Sequence, residues 1–326
     1  MMRLRVLSAE DVRRALPMRA AIEAMRGAFR ALHMGEVVMP VRFGLPTPDG
    51  ITIFMPAFVR TTGGLGQKVV SVYAGNLARG LPTIHALVTV YDATTGEPRA
   101  VIEGTYLTAL RTGAVTGLAT ELLAREEARV LTVFGAGGQA PLQIEAVCTV
   151  RPIEEVRIVS RGPSAGELAE RLQREDATRR YVAAEDAEMA VRDADIIVTV
   201  TTSERPVFDG AWVKPGAHVN GVGSYRPEMQ EVDATLLQRA LVVVDQREAA
   251  LEEAGDLLIP MARGEWSFEQ VYAELGALVA GEAAHPTDPA QITYFKSCGL
   301  AVEDVAAAQA LLQAAEEQGL GQVVEL

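Results

Sequence analysis

Val130-Leu-Thr-Val-Phe-Gly-Ala-Gly-Gly-Gln-Ala140 is an apolar, β-branched run that breaks into Gly135-x-Gly137-x-x-Ala140 and continues as helix-compatible sequence. A dinucleotide-binding turn needs this order. Gly135 permits a tight turn, Gly137 lets backbone approach a pyrophosphate, and Ala140 lets the helix pack on the strand. The helix N-terminus then offers unpaired N–H groups and the positive end of its dipole to the phosphates. In a chain with 29 glycines the pattern alone is weak; its surroundings strengthen it. Glu155–Ser160 reads as the next strand and ends about twenty residues on, where the ribose-reading residue belongs. A further apolar run, Ala194–Val200, ends in Thr201-Thr202-Ser203.

From 129 to about 300 strand-like and helix-like segments alternate, as a parallel, doubly wound sheet requires. Strands are expected at 130–134, 155–160, 194–200, 217–220, 241–245 and 291–296, with a weaker one at 181–182. The preceding region differs. Residues 8–35 carry helical periodicity after a capping Ser8. Short β-like runs follow at 37–43, 51–58, 67–72, 83–91 and 100–103, separated by turn-forming clusters such as Pro48-Asp-Gly50. Leu107–Leu123 reads as a helix interrupted by Gly113 and Gly117, and 301–319 as an amphipathic helix with acidic flanks. No flexible linker separates the two regions, so an interface and a ligand cleft between them are expected.

Length and composition fit a globular protein of one large or two ordinary domains: 326 residues, 49% hydrophobic. A net charge of −13 gives a nucleic-acid partner no electrostatic support. It also makes individually placed cations the natural receivers of an anionic substrate. Two distant cysteines and no apolar leader point to a reduced, cytoplasmic protein. No run is apolar enough to span a membrane, and the four scattered histidines make no metal pattern.

Several further segments are Gly66-Gln-Lys68-Val-Val-Ser-Val, Tyr91-Asp-Ala-Thr-Thr-Gly-Glu, Leu107-Thr-Ala-Leu-Arg111-Thr-Gly-Ala, His218-Val-Asn-Gly-Val-Gly-Ser224 and Phe295-Lys-Ser-Cys-Gly-Leu-Ala301-Val-Glu-Asp304. With Phe134–Gln139, their order and spacing make nearly the whole chain resemble the ornithine cyclodeaminase/mu-crystallin family. The resemblance implies an α/β protein in which a central Rossmann domain (116–299) is flanked by a mixed α+β substrate and dimerisation domain (1–115 plus 300–326). It also implies a nicotinamide cofactor and a homodimer. Arg42, Lys68 and Arg111 fall where family members hold the substrate carboxylate, and Lys68 and Arg111 are the catalytic candidates. Physical chemistry agrees: Arg forms a bidentate fork on a carboxylate, and Lys is a point charge and proton donor. Tyr225 and Cys298 complete the implied substrate contacts. Those to the cofactor fall on Thr83, Arg111, Gly135, Gly137, Gly138, Gln139, Ser160, Arg161, Thr201, Val222 and Ser297. At the end of the second strand Ser160-Arg161 stands where an NAD-selective site carries an acid, which favours NADP(H), with NAD(H) possible.

Two positions depart from the cyclodeaminases. Their acid/base Asp falls on Tyr225, and a substrate-contacting Lys on Met229. A phenol, with an ordinary pKa of about 10, is a poor base near neutral pH. Glu228 and Asp233 could substitute only after a loop rearrangement. The expected activity is therefore NAD(P)H-dependent reduction of a small α-imino acid, or the reverse amino-acid dehydrogenation. Ornithine cyclodeamination and a non-catalytic binding role are the alternatives. Phe54, Met55, Tyr73, Tyr225 and Met229 each read either as pocket lining or as core.

Overall fold

The computed structural model describes residues 2–326 and, among them, two eight-stranded sheets in two packed units. One unit runs to Thr112 and resumes over Leu300–Leu326; the other is Gly113–Gly299. The first contains β1 (Arg3–Leu7), β2 (Val37–Val38), β3 (Phe43–Thr47), β4 (Gly50–Val59), β5 (Gly64–Val72), β6 (Ile84–Asp92) and β7 (Pro98–Glu103). The second contains β8 (Val130–Phe134), β9 (Glu155–Val159), β10 (Arg180–Ala183), β11 (Ile196–Thr199), β12 (His218–Gly221), β13 (Ala240–Val244), β14 (Val271–Glu274) and β15 (Ile292–Lys296). A final strand, β16 (Gln322–Glu325), returns to the first sheet. The helices are α1 (Ala9–Ala15), α2 (Met18–His33), α3 (Gly104–Leu123), α4 (Ala140–Val150), α5 (Ser164–Glu175), α6 (Ala187–Arg192), α7 (Ala234–Arg239), α8 (Arg247–Glu253), α9 (Gly255–Ala262), α10 (Leu275–Ala280) and α11 (Ala301–Gln318).

The first sheet has the order β16-β1-β7-β6-β5-β4-β2, with β3 also on β4, and is antiparallel apart from the β1–β7 pair. Alternation sends Met55, Ala57 and Val59 of β4 and Ala86, Val88 and Val90 of β6 into the core. The helix α11 lies on β4, β5 and β6 and also packs on α2. Gly66 lies close against β6: a Cβ there would sit 2.6 Å from the Thr89 carbonyl oxygen, whereas the Val305 side chain of α11, at 3.5 Å, would be in ordinary contact. The opposite face carries Phe43, Phe54, Val69 and Leu87 in register across four strands. The Phe43 and Phe54 rings stack at 4.9 Å, yet Phe43, Leu45 and Leu87 are exposed.

The second sheet is parallel throughout, in the order β10-β9-β8-β11-β12-β15-β13-β14. Apolar residues cover both faces, as a doubly wound sheet demands. Ile196 and Val198 join the core that includes α4, whereas Ile197 joins the core that includes α7 and Trp266. The chain leaves β8 toward β9 and β10, then crosses back to β11. The β8–β11 boundary is therefore the topological switch point, where such sheets bind ligands.

The elements differ from the sequence expectations in specific places. The single helix over 8–35 is two, because Pro17 excludes α geometry at Leu16. The strand over 37–43 stops at Val38, and the chain resumes pairing at Phe43, so Arg42 lies on an unpaired segment and not on a strand. Gly113 and Gly117 do not interrupt α3, which runs unbroken with both positions buried; tertiary packing outweighs roughly 1 kcal/mol of lost propensity at each. The strand over 181–182 is real and extends to 180–183. β1, β14 and β16 were not foreseen.

Gly66→Ala should cost about 1–3 kcal/mol by forcing the Thr89 carbonyl of β6 to move. Gly166→Ala, in the first turn of α5 where a Cβ meets nothing within 4 Å, should instead gain up to about 1 kcal/mol. Urea unfolding of both variants checks the pair.

Candidate active site

Lys68 sits on the β5 face that α11 covers, and Arg111 on the first-unit part of α3; they are only 2% and 4% exposed. Charges this deep need partners, and both are supplied by the first turn of α11. The Asp304 carboxylate lies 3.0 and 2.8 Å from the Lys68 ammonium and accepts from Arg111 Nε at 2.9 Å. Arg111 Nη1 donates to Glu303, whose other oxygen accepts from the Leu300 backbone N–H and so caps α11. The helix N-terminus favours both carboxylates there. Two buried cations thus face two buried anions. Arg111 Nη2 has no partner among the described residues, which leaves one arm of the guanidinium fork for a ligand.

The Lys68 ammonium is tuned toward neutrality. Burial, and then the positive charge of Arg111, bring it down from 10.5 to about 8, and Asp304 opposes the fall. At Arg111 burial also pulls downward, but Asp304 and Glu303 outweigh it and raise the guanidinium. Lys68 is thus the member of the cluster able to exchange a proton near neutral pH. Glu303 and Asp304 carry no distinctive signal in the sequence, because acids in a helix's first turn read first as capping residues.

In the second unit the turn after β8 has the shape a dinucleotide needs. Gly135 takes φ +107°, and a Cβ there would lie 2.6 Å from the Val200 carbonyl oxygen, so glycine lets the β8 and β11 loops meet at the switch point. A Cβ on Gly137 or Gly138 would meet nothing within 4 Å; the space over the turn is open. Ala140 is fully buried at the start of α4, and Gln139 Oε1 is buried without a hydrogen-bond partner among the described residues. An open, glycine-lined turn running into an 11-residue helix fits a pyrophosphate. At the end of β9 the Ser160 and Ser164 hydroxyls share a hydrogen bond of 2.9 Å, and Arg161 is exposed. Thr201 and Val222 follow β11 and β12, and Ser297 and Cys298 follow β15, all at the carboxyl edge of the sheet. Thr83 and Arg42 lie in the first unit, just before β6 and β3 respectively, and both are half-buried.

The sequence profile of the ornithine cyclodeaminase/mu-crystallin family matches residues 2–319. The chain belongs to this family. It is 40% identical to the Delta(1)-pyrroline-2-carboxylate reductase of Bacillus cereus, over 98% of this chain and 99% of that protein. Among solved structures, Thermococcus litoralis Delta(1)-pyrroline-2-carboxylate reductase in complex with NADH and L-proline superimposes with a TM-score of 0.93 at 35% identity, covering 98% of this chain and 99% of that one. An archaeal alanine dehydrogenase dimer with bound NAD gives 0.92 at 34% identity, covering both chains fully.

The loop after β12 carries Tyr225 and Met229. Tyr225 is 39% exposed, with the Arg226 guanidinium 5.8 Å from its ring centroid. Met229 is fully buried core, which settles it against pocket lining; Met55 is core as well. Asp233 caps α7 through the Leu236 N–H and accepts from the Gly210 N–H, so its carboxylate is committed to structure. Glu228 pairs with Arg226 at 3.3 Å on the surface. Both carboxylates are thus engaged by these partners.

Asp304→Ala leaves two buried cations short of an anion and should cost about 3–5 kcal/mol at pH 7. Chemical denaturation monitored by circular dichroism checks this. A loss below 1 kcal/mol would show that the cluster is solvated in solution.

Proposed function

We propose that this chain is an NAD(P)H-dependent oxidoreductase that reduces a small cyclic α-imino acid, such as a pyrroline-2-carboxylate, and oxidises the matching amino acid in reverse. The observation that carries the reading is Lys68, buried beside Arg111 with a pKa brought to about 8. Reduction of a preformed C=N requires one hydride at carbon and one proton at nitrogen. The nicotinamide cofactor supplies the hydride. Lys68 donates the proton to nitrogen, and Asp304 holds its ammonium in place. Arg111 Nη2, with Arg42, holds the substrate carboxylate; positioning and charge complementarity then carry most of the rate. Tyr225 and Cys298 complete the substrate contacts. Thr83, Arg111, Gly135, Gly137, Gly138, Gln139, Ser160, Arg161, Thr201, Val222 and Ser297 hold the cofactor. We assign ornithine cyclodeamination a lesser place, because Tyr225 and Met229 supply neither the base nor the amine contact that ring closure with ammonia loss needs.

NADP(H) is the preferred cofactor in this reading, supported by Arg161, which is exposed and free to meet a 2′-phosphate, and by the absence of an acid at Ser160. The working unit is a homodimer. Support comes from the bare sheet face bearing Phe43, Leu45 and Leu87, an apolar surface of the kind a second copy covers. Cys148 and Cys298 form no disulfide, which suits the reducing cytoplasm, and among the described residues no helix is long and apolar enough to cross a membrane.

Purified protein should oxidise NADPH in the presence of pyrroline-2-carboxylate or piperideine-2-carboxylate, bind NADPH more tightly than NADH, and release little ammonia from ornithine. Fluorescence titration and a coupled ammonia assay measure these; NADH tighter by tenfold overturns the cofactor preference, and robust ammonia release promotes the lyase.

The pH dependence has a definite sign. For imine reduction kcat/KM should fall as pH rises through about 8, where Lys68 loses its proton. For amino-acid oxidation, which needs neutral Lys68 as base, it should rise over the same range. Lys68→Met should abolish both limbs and lower kcat/KM by about a hundredfold or more.

A further inference from the structure

A second buried polar network lies in the Rossmann unit, outside the groups assigned above. Glu231 is fully buried. One carboxylate oxygen accepts from the Thr201 N–H at 2.6 Å. The other accepts from the Thr199 hydroxyl at 2.9 Å and from the backbone N–H groups of Gly223 and Ser224 at 2.7 and 3.1 Å. A single side chain therefore ties the end of β11 to the end of β12. Behind it, Asp256 accepts from the Glu231 and Val232 N–H groups at 2.6 and 3.2 Å, and from the Tyr294 hydroxyl and Lys296 ammonium at 3.1 and 3.0 Å. Lys296, the last residue of β15, also donates to the Gly221 carbonyl at 3.3 Å. Asp245, at the end of β13, accepts from the Cys298 and Gly299 N–H groups.

Stability alone does not account for such a cluster. Desolvating carboxylates and an ammonium generally costs at least as much as their mutual attraction returns, and apolar residues of similar volume are often the more stable choice. What the cluster provides is geometry. It fixes the strand ends of β11, β12 and β15 relative to one another, and those ends carry Thr201, Val222 and Ser297. They lie along the carboxyl edge, where doubly wound sheets take their ligands. A catalytic surface needs its groups held by a second set of locked side chains.

We propose that Glu231, backed by Asp256 and Lys296, is a positioning residue that preorganises these three strand ends for the cofactor. The inference rests on the reading that this edge holds NAD(P)(H). Thr199→Val removes one hydroxyl donor to Glu231 while keeping side-chain shape. It should weaken NADPH binding about threefold to tenfold, with the imino-acid KM at saturating NADPH unchanged. Thr199→Ser should restore wild-type affinity. Glu231→Gln, which sets an amide against backbone donors, should weaken binding further; if it fails to fold, the Thr199 pair carries the test. Variants that melt at lower temperature yet bind NADPH with the wild-type dissociation constant would overturn the proposal and leave the network purely structural. Wild-type protein that binds neither NADPH nor NADH would instead overturn the cofactor reading, and this proposal with it.

Discussion

The first unit depends on one carboxylate. Asp304 touches Lys68 from β5 and Arg111 from α3, and it stands in the first turn of α11, so three elements far apart in sequence meet at one buried anion. Electrostatics and packing require each other here. The packing of α11 on β4, β5 and β6 is what brings Asp304 within reach of Lys68. Without Asp304, two cations would be buried against their own repulsion. Burial and the charge of Arg111 bring the lysine pKa down to about 8, while Asp304 pulls against that fall, so the anion that holds the unit together also helps to keep the lysine charged.

How much of this could be read from sequence varied with how local the cause was. The Gly135 turn, the apolar strands around it and the α4 start are encoded within a few residues, and they stand where the spacing put them. Pro17 was an equally local signal, and its break in the helix follows from proline chemistry that the periodicity obscured. β1 and β16 are different. Each is a strand because it finds the other, and β1 also finds β7, across most of the chain. The continuity of α3 through Gly113 and Gly117 likewise reflects burial, which no local propensity records.

The site followed the same rule. Lys68 and Arg111 could be singled out through the family resemblance, and their place beside apolar runs in an acidic chain agreed with it. Their partners could not. Glu303 and Asp304 look like ordinary helix-start acids, and no spacing relates them to a lysine some 236 positions earlier. Glu231 was hidden for a similar reason: its role comes from accepting backbone N–H groups, which every residue has.

The second unit is nested within the first, since residues 113–299 lie between the two stretches that build the sheet and its covering helix. During synthesis the Rossmann unit can complete itself as one continuous segment. The first sheet emerges early but waits for α11 until that whole segment has been made. Until then Lys68 and Arg111 have no counter-ions and the apolar face meant for α11 is bare. A ribosome-bound intermediate with a finished nucleotide fold and an open, aggregation-prone sheet is thus built into the order of the chain.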